Sequence, residues 1–257
     1  MLRGRLRTTR TPMLRPHRGP VPDADRPIAT GGKSGALRAS IFGVNDGLVS
    51  NLSLIMGVTG AGVSNKVILL AGVAGLLAGA FSMAAGEYIS MRTQREVFER
   101  LIHLEAHELA TEPEEEREEL VGIYREKGVP VDIAEQLVDI LHRDPDLALE
   151  THAREELGLD METGLGSPWG AASSSFVTFG FGAVVPLIPF MVGSGVAAAV
   201  ASILASGVTL FAVGAAISIL TGKRFYVSGF RMLAVGGAAA AITYGVGRML
   251  HVGGAVG

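Results

Sequence analysis

Two carboxylates and one thioether stand in stretches of the sequence that carry almost no other charge. Asp46 lies about a third of the way into the first apolar stretch, and Met83 and Glu87 lie one helical turn apart near the end of the second. An ionised aspartate near a helix centre costs roughly 2.5–3.5 kcal/mol on membrane-insertion scales, so it usually faces a cavity or a partner. A carboxylate beside a soft thioether favours a transition metal over Mg²⁺ or Ca²⁺. The three residues are therefore candidate ligands for a divalent metal inside a membrane.

Each of these residues also has an interpretation without metal. Asp46 could be a structural carboxylate, hydrogen-bonded to Asn45 or to a serine or threonine of a neighbouring helix. Glu87 could reach headgroup water from the end of its helix. A lone methionine such as Met83 is usually core filler. The place of Asp46 inside an apolar stretch favours a functional role.

Most carboxylates gather in one other part of the chain. Of the 25 acidic residues, 21 lie between Arg92 and Trp169, against eight lysines and arginines. Glu105 and Glu108 share one face of a predicted helix, and like charges at this spacing repel, so a stack of them needs a counter-cation. The next helix adds a stripe of three glutamates, and the segment has four histidines: Glu112, Glu116 and Glu119; His103, His107, His142 and His152.

A mixture of carboxylate oxygens and imidazole nitrogens suits Fe²⁺, Mn²⁺, Co²⁺ or Zn²⁺ better than Ca²⁺. The alternative is a solvated anionic face that binds no metal specifically. An EF-hand is excluded because Asp144-Pro-Asp146 does not continue into a calcium loop. The paired Glu-x-x-His motifs of a ferritin-like di-iron site are also missing. The chain has no cysteine, which excludes disulfides, cysteine-ligated zinc and thiol catalysis.

These candidate residues imply an all-α membrane protein with five transmembrane helices. About 20 apolar residues of helix cross a hydrocarbon core, and the stretches almost free of acid hold five such lengths. A cytosolic acidic helical domain is inserted between the second and third spans. The predicted spans are 39–62, 66–91, 170–192, 196–221 and 225–250.

The distribution of Lys and Arg sets the predicted orientation. They collect in the N-terminal tail, in the acidic segment and at Lys223–Arg224, which lie on one side if five spans alternate. The positive-inside rule places that side in the cytosol. The predicted divisions are a disordered basic cytosolic tail, two spans, a metal-binding helical domain, three spans and a short extracytosolic tail: 1–37, 38–91, 92–169, 170–250 and 251–257.

Local signals predict the helices of the acidic domain and one helix interface. The helix of the second span continues without a breaker to about Ala110, the next helix stops at Gly128, and the last begins at Asp144-Pro145. Small residues on a membrane helix allow another helix to approach closely. We therefore expect a homodimer packed through the first two spans, along a face formed by Gly72, Gly75, Gly79 and Gly86.

Two long runs resemble the vacuolar iron transporter family. They are DGLVSNLSLIMGV from Asp46 and GAFSMAAGEYIS from Gly79, and the likeness extends over about 38–250. The resemblance implies a homodimer with its pore at the interface, and export of Fe²⁺ from the cytosol in exchange for protons. It implies that Asp46 and Met83 are transport ligands, with Glu87 near the cytosolic mouth.

The same resemblance implies carboxylate ligands in the cytosolic domain, namely Glu105, Glu108, Glu116, Glu119 and Glu156. The last cytosolic helix departs from the family, because His152 and Ala153 stand where some members have methionines. His152 could replace the soft ligand. The family also includes manganese carriers, so Mn²⁺ is a second candidate substrate.

Three functions compete at this point. The leading hypothesis is a proton-coupled exporter of Fe²⁺, with Mn²⁺, Zn²⁺ or Co²⁺ as further candidate substrates, and without a prosthetic group. It would lie in the plasma membrane of a prokaryote and contact lipid but no nucleic acid. The rival is a membrane-anchored iron sensor or storage protein, although an anchor needs no charge at Asp46. An enzyme is disfavoured because the chain shows no nucleophile–base pair, nucleotide loop or catalytic zinc motif.

Overall fold

The computed structural model of the chain describes residues 32–161 and 166–250, in which every regular element is an α-helix. The described residues form two compact units. The acidic unit is Glu105–Leu159, and the span unit holds the remainder, with α2 contributing to both. The helices are α1 Gly32–Gly60, α2 Asn65–Thr111, α3 Pro113–Glu126, α4 Val131–Leu141, α5 Pro145–Glu155, α6 Pro168–Val184, α7 Ile188–Val192, α8 Gly195–Thr221 and α9 Phe225–Leu250.

Four of the described helices are long and apolar enough to cross a membrane, namely those containing Ser40–Gly60, Asn65–Thr111, Gly195–Ser218 and Phe225–Leu250. They agree with the first, second, fourth and fifth predicted spans. The uninterrupted course of α2 confirms that the second span continues into the acidic segment. The helix α1 begins at Gly32, within the last part of the segment 1–37 that was predicted as a tail. The other tail residues, 1–31 and 251–257, lie outside the described ranges.

The third predicted span, 170–192, is not one continuous helix. It divides into α6, of 17 residues, and α7, of five. Pro186 lies in the break because proline has no N–H to donate to the carbonyl of Gly182 and its ring clashes there. That carbonyl accepts from the amide of Val185 instead, at 3.3 Å. The prediction of an unbroken helix missed the proline between two apolar runs.

Side chains from three other helices donate hydrogen bonds to the carbonyls around this break. Breaks in membrane helices are tolerated where neighbours satisfy the freed backbone groups. The donors and acceptors are Asn51 Nδ2 to Ala183 O at 2.6 Å, Ser202 Oγ to Pro186 O at 2.7 Å, and Asn65 Nδ2 to Phe190 O at 3.0 Å. Polar residues of α1, α2 and α8 therefore fix the place where α6 turns into α7.

Small residues bring α1 close to its neighbours and so fix the position of Asp46. A Cβ on Gly47 would collide with the backbone of Phe179 on α6, and a Cβ on Gly182 would collide with the carbonyl of Val44 on α1. Close approach of this kind supplies the packing that holds membrane helices together. The backbone beside Asp46 is consequently held against α6.

The glycine face predicted for the dimer is largely occupied within the chain. A Cβ would run into the side chains of Leu187 at Gly72, Leu54 at Gly75 and Phe179 at Gly79, whereas Gly86 has open space. These three glycines therefore pack against side chains of the same chain, and a homodimer through the first two spans stays a prediction. The periodicity of small residues shows that a helix approaches, but it does not show which helix.

The acidic unit has a small apolar core of its own. Leu120 and Val121 of α3 pack against Ala134 and Val138 of α4, and Leu141 covers the edge. The predicted helix ends agree with the structure. Gly128, at φ +90°, follows the end of α3, and the Asp144 side chain accepts from the amides of Asp146 and Leu147 at the start of α5.

Candidate metal centres

Four side chains from three helices converge in the acidic unit. Glu105 comes from α2, Glu116 from α3, and His152 and Glu156 from the end of α5. One ligand atom of each lies within 4.8 Å of the others. From His152 Nδ1, the nearest oxygens of Glu105, Glu116 and Glu156 lie at 3.0, 3.6 and 3.8 Å. We call this group the capture cluster.

The ligand atoms of the capture cluster lie close together in a largely buried place. His152 is 0% exposed and Glu105 2%. Yet His152 Nδ1, Glu105 Oε1 and Glu156 Oε2 are buried without a well-aligned hydrogen bond from any described residue. Ligand atoms about 2.1 Å from one metal ion lie roughly 3–4 Å apart, which is the separation observed around Nδ1. The cluster therefore fits a divalent transition metal held by three carboxylates and one imidazole.

Electrostatics in the metal-free cluster favour protons on two of its members. Burial lowers the pKa of His152, but the neighbouring carboxylates of Glu105, Glu156 and Glu116 outweigh it and raise that pKa to about 9. Burial raises the pKa of Glu116 to about 7, aided by the charge of Glu105 and opposed by His152. A proton on His152 thus balances negative charge where a metal cation would otherwise do so.

Two of the predicted ligands remain outside the capture cluster. Glu108 and Glu119 are absent from the group of four, although Glu119 is near enough for its pKa to be raised by burial and by the charges of Glu156 and Glu105. Glu119 thus lies close to the cluster, and Glu108 acts on Glu119 through its negative charge. His103 and His107 are exposed on α2, outside the cluster.

The span unit contains a second group of interest around Asp46. A cavity of about 300 Å³ brings Asp46 and Ser50 of α1 together with Ser82 and Met83 of α2. Its remaining lining is Asn51, Leu54, Gly75, Gly79 and Phe179. The carboxylate and the thioether singled out from the sequence thus face one space. We call it the span cavity.

Glu87 and Asn51 differ in their relation to the span cavity. Glu87 does not line the span cavity. Asn51 does, and it is 2% exposed; its Oδ1 is buried without a hydrogen-bond partner among the described residues, while its Nδ2 bonds to Ala183. The available signal was a second strongly polar side chain five residues after Asp46, since such a group in a membrane helix needs a partner.

Comparison with known proteins identifies the family. The sequence model of the VIT family matches residues 37–248, most of the chain. The chain belongs to the VIT family. Its apolar helices, its capture cluster and its span cavity are thus features of a VIT-family membrane protein.

Individual relatives in the VIT family carry names that describe iron transport. The protein named vacuolar iron transporter of Acanthamoeba castellanii is 35% identical over 236 residues, covering 89% of this chain and 84% of the relative. Vacuolar iron transporter 1 of Arabidopsis thaliana is 30% identical over 219 residues, covering 84% and 86%. The vacuolar iron transporter of Toxoplasma gondii is 32% identical over 232 residues, covering 87% and 77%. Because the relatives are transporters rather than enzymes, the prediction that the chain is not an enzyme is confirmed.

Proposed function

We propose that this chain transports Fe²⁺ out of the cytosol in exchange for protons, with Mn²⁺ and related divalent metals as further substrates. The observation that carries the proposal is the span cavity, in which Asp46 and Met83 meet inside a unit of membrane-crossing helices. Membership of the VIT family and the names of the relatives support the same function. A membrane anchor for a sensor or store has no need of a carboxylate there.

The transport step assigns separate roles to the residues of the span cavity. An ion crossing the bilayer must exchange its hydration shell for protein ligands that hold it loosely enough to release it. Asp46 supplies charge and Met83 supplies softness, which discriminates against Mg²⁺ and Ca²⁺. Protonation of Asp46 discharges the site, so metal and proton compete for one group. Glu87, outside the cavity, is proposed to attract cations toward its cytosolic side.

The proposed assembly is a homodimer whose pore lies at the interface. Two copies of Asp46 then give a site of charge −2, which matches one divalent ion. In each chain α6 and α7 together form the third of five spans, so that the N-terminus and the acidic unit share the cytosolic side and the C-terminus lies outside. We place the protein in the plasma membrane of a prokaryote.

The capture cluster is proposed to concentrate metal before transport. Its ligands are Glu105, Glu116, His152 and Glu156, while Glu108 and Glu119 raise the local negative potential. Metal in this role is substrate rather than a resident cofactor. Loss of the cluster is therefore expected to slow transport at low metal concentration and to matter little at high concentration.

Transport into proteoliposomes tests this function. Fe²⁺ flux is measured with a pH gradient imposed and then collapsed by an ionophore. Wild-type protein should transport, and collapse of the gradient should slow it. Asp46→Asn keeps the shape of the side chain but removes its charge, and should abolish flux, whereas Glu116→Gln should reduce flux only at low Fe²⁺. Flux through Asp46→Asn at the wild-type rate, or no flux through the wild type, would contradict the proposal.

A further inference from the structure

The capture cluster has a second imidazole behind its histidine. His142 follows α4 directly, and its Nε2 lies 3.1 Å from Nε2 of His152. The two rings are tilted by 49° with centroids 5.2 Å apart, so the contact is an edge-on hydrogen bond rather than a stack. His152 therefore has one nitrogen directed at three carboxylates and the other directed at His142.

Only one tautomer of neutral His152 can bind a metal ion in this arrangement. A neutral histidine that binds metal through Nδ1 must carry its proton on Nε2. Because His152 is 0% exposed, that N–H cannot turn to bulk water. A buried N–H left without an acceptor destabilises the structure that holds it. His142 Nε2 is the atom at hydrogen-bond distance that can accept it.

We propose that His142 is a positioning residue for metal capture, which accepts the Nε2–H of His152 and so directs the Nδ1 lone pair of His152 into the three-carboxylate centre. This inference rests on the proposed capture function. Ligating histidines usually donate the second ring N–H to a carboxylate, a carbonyl or water, and removal of such a partner typically lowers metal affinity 10- to 100-fold. In this chain the acceptor of that N–H is the imidazole of His142.

Charged side chains from α3 and α4 act on the His142 ring. Arg117 Nε donates to Asp139 Oδ1 at 2.6 Å, and this ion pair is the charged pair that acts on His142 from α3 and α4. Glu114 of α3 adds a weaker negative charge. His142 is half-buried, and its Nε2 faces His152.

The experiment compares four variants with the wild-type full chain in lipid nanodiscs, with Zn²⁺ as the probe. His142→Phe keeps a ring but removes the acceptor and should weaken Zn²⁺ binding about 10- to 100-fold. His142→Gln supplies an amide oxygen at similar reach and should restore most of the affinity. Gln136→Phe adds the same ring at an exposed site of α4 and serves as the control. Affinity is measured by competition with a chelating indicator.

Nitrogen NMR of histidine-labelled protein separates positioning from simple packing. In the wild type and in His142→Gln, His152 should show a metal-bound Nδ1 and a protonated Nε2. In His142→Phe the protonated Nε2 signal should be lost or exchange-broadened. Equal affinity in all variants with Nδ1 still metallated overturns this inference alone, as does metal found between the two Nε2 atoms. If the wild type binds no more Zn²⁺ than His152→Leu, the capture function fails together with it.

Discussion

Metal affinity of the capture cluster should rise steeply with pH, because metal must displace protons held there. His152, with a pKa of about 9, and Glu116, with a pKa of about 7, both keep protons in the metal-free protein more strongly than their free side chains do. A ligating metal needs the deprotonated form of each. Raising the pH removes these competing protons, so the sign of the effect is tighter binding at higher pH.

The size of the effect follows from the same two values. Displacing the proton of His152 at pH 7 costs a factor of about 100 in apparent affinity, since its pKa lies about two units higher. Between pH 7 and 9 one proton is displaced, and affinity should change about tenfold per pH unit. Below pH 7 Glu116 is protonated as well, and affinity should change about a hundredfold per unit.

Calorimetry of Zn²⁺ binding in two buffers of different ionisation enthalpy counts the released protons. We expect about one proton per metal at pH 8 and about two at pH 6 from the pKa values of His152 and Glu116. The variant His152→Met replaces the titrating ring with a thioether that takes up no proton, so its proton release at pH 8 should fall below that of the wild type. Release that is the same at both pH values in the wild type would refute this description of the cluster.

Three further predictions concern the span unit. Met83→Leu removes the thioether from the span cavity and should lower the ratio of Fe²⁺ to Mg²⁺ flux in proteoliposomes; an unchanged ratio would remove Met83 from the site. Ser202→Ala leaves the carbonyl of Pro186 without its donor and should destabilise the protein by about 1–3 kcal/mol in denaturant unfolding, with metal selectivity unchanged. Gly79→Leu should collide with a phenylalanine ring and reduce folded yield, whereas Gly86→Leu should be tolerated in the monomer; equal yields would contradict the packing described.

The sequence predicted the membrane helices and the acidic helices because their signals are local. Apolar length defined four of the spans, and Gly128 and Asp144 marked helix ends through backbone conformation and capping. The broken helix at Pro186 was missed because its stability depends on donors from three distant helices. Local composition indicates that a helix break is costly, but it does not indicate that side chains of other helices bond the freed backbone carbonyls.

Charged site residues could be predicted from the sequence, because their charge is visible in it. Residues whose role depends on contact with another helix could not. Helical spacing and the family resemblance together indicated Glu105, Glu116 and Glu156, which the structure brings to one centre. Nothing local distinguishes His142 from the exposed His103, since the difference arises only when α4 and α5 place two rings side by side. Spacing along one helix is fixed by helix geometry, whereas contact between helices is fixed by packing.

Two sites that exchange metal for protons cannot both couple transport to a proton gradient. A proton displaced from the capture cluster returns to the solution that supplied the metal, so it makes capture pH-dependent without moving charge across the bilayer. Coupling requires a group that meets metal from one side and protons from the other, and in the proposed mechanism Asp46 is that group. Variants of the capture cluster and variants of the span cavity should therefore change different kinetic quantities. Glu116→Gln should raise the metal concentration needed for half-maximal flux, whereas Asp46→Asn should abolish the maximal flux itself.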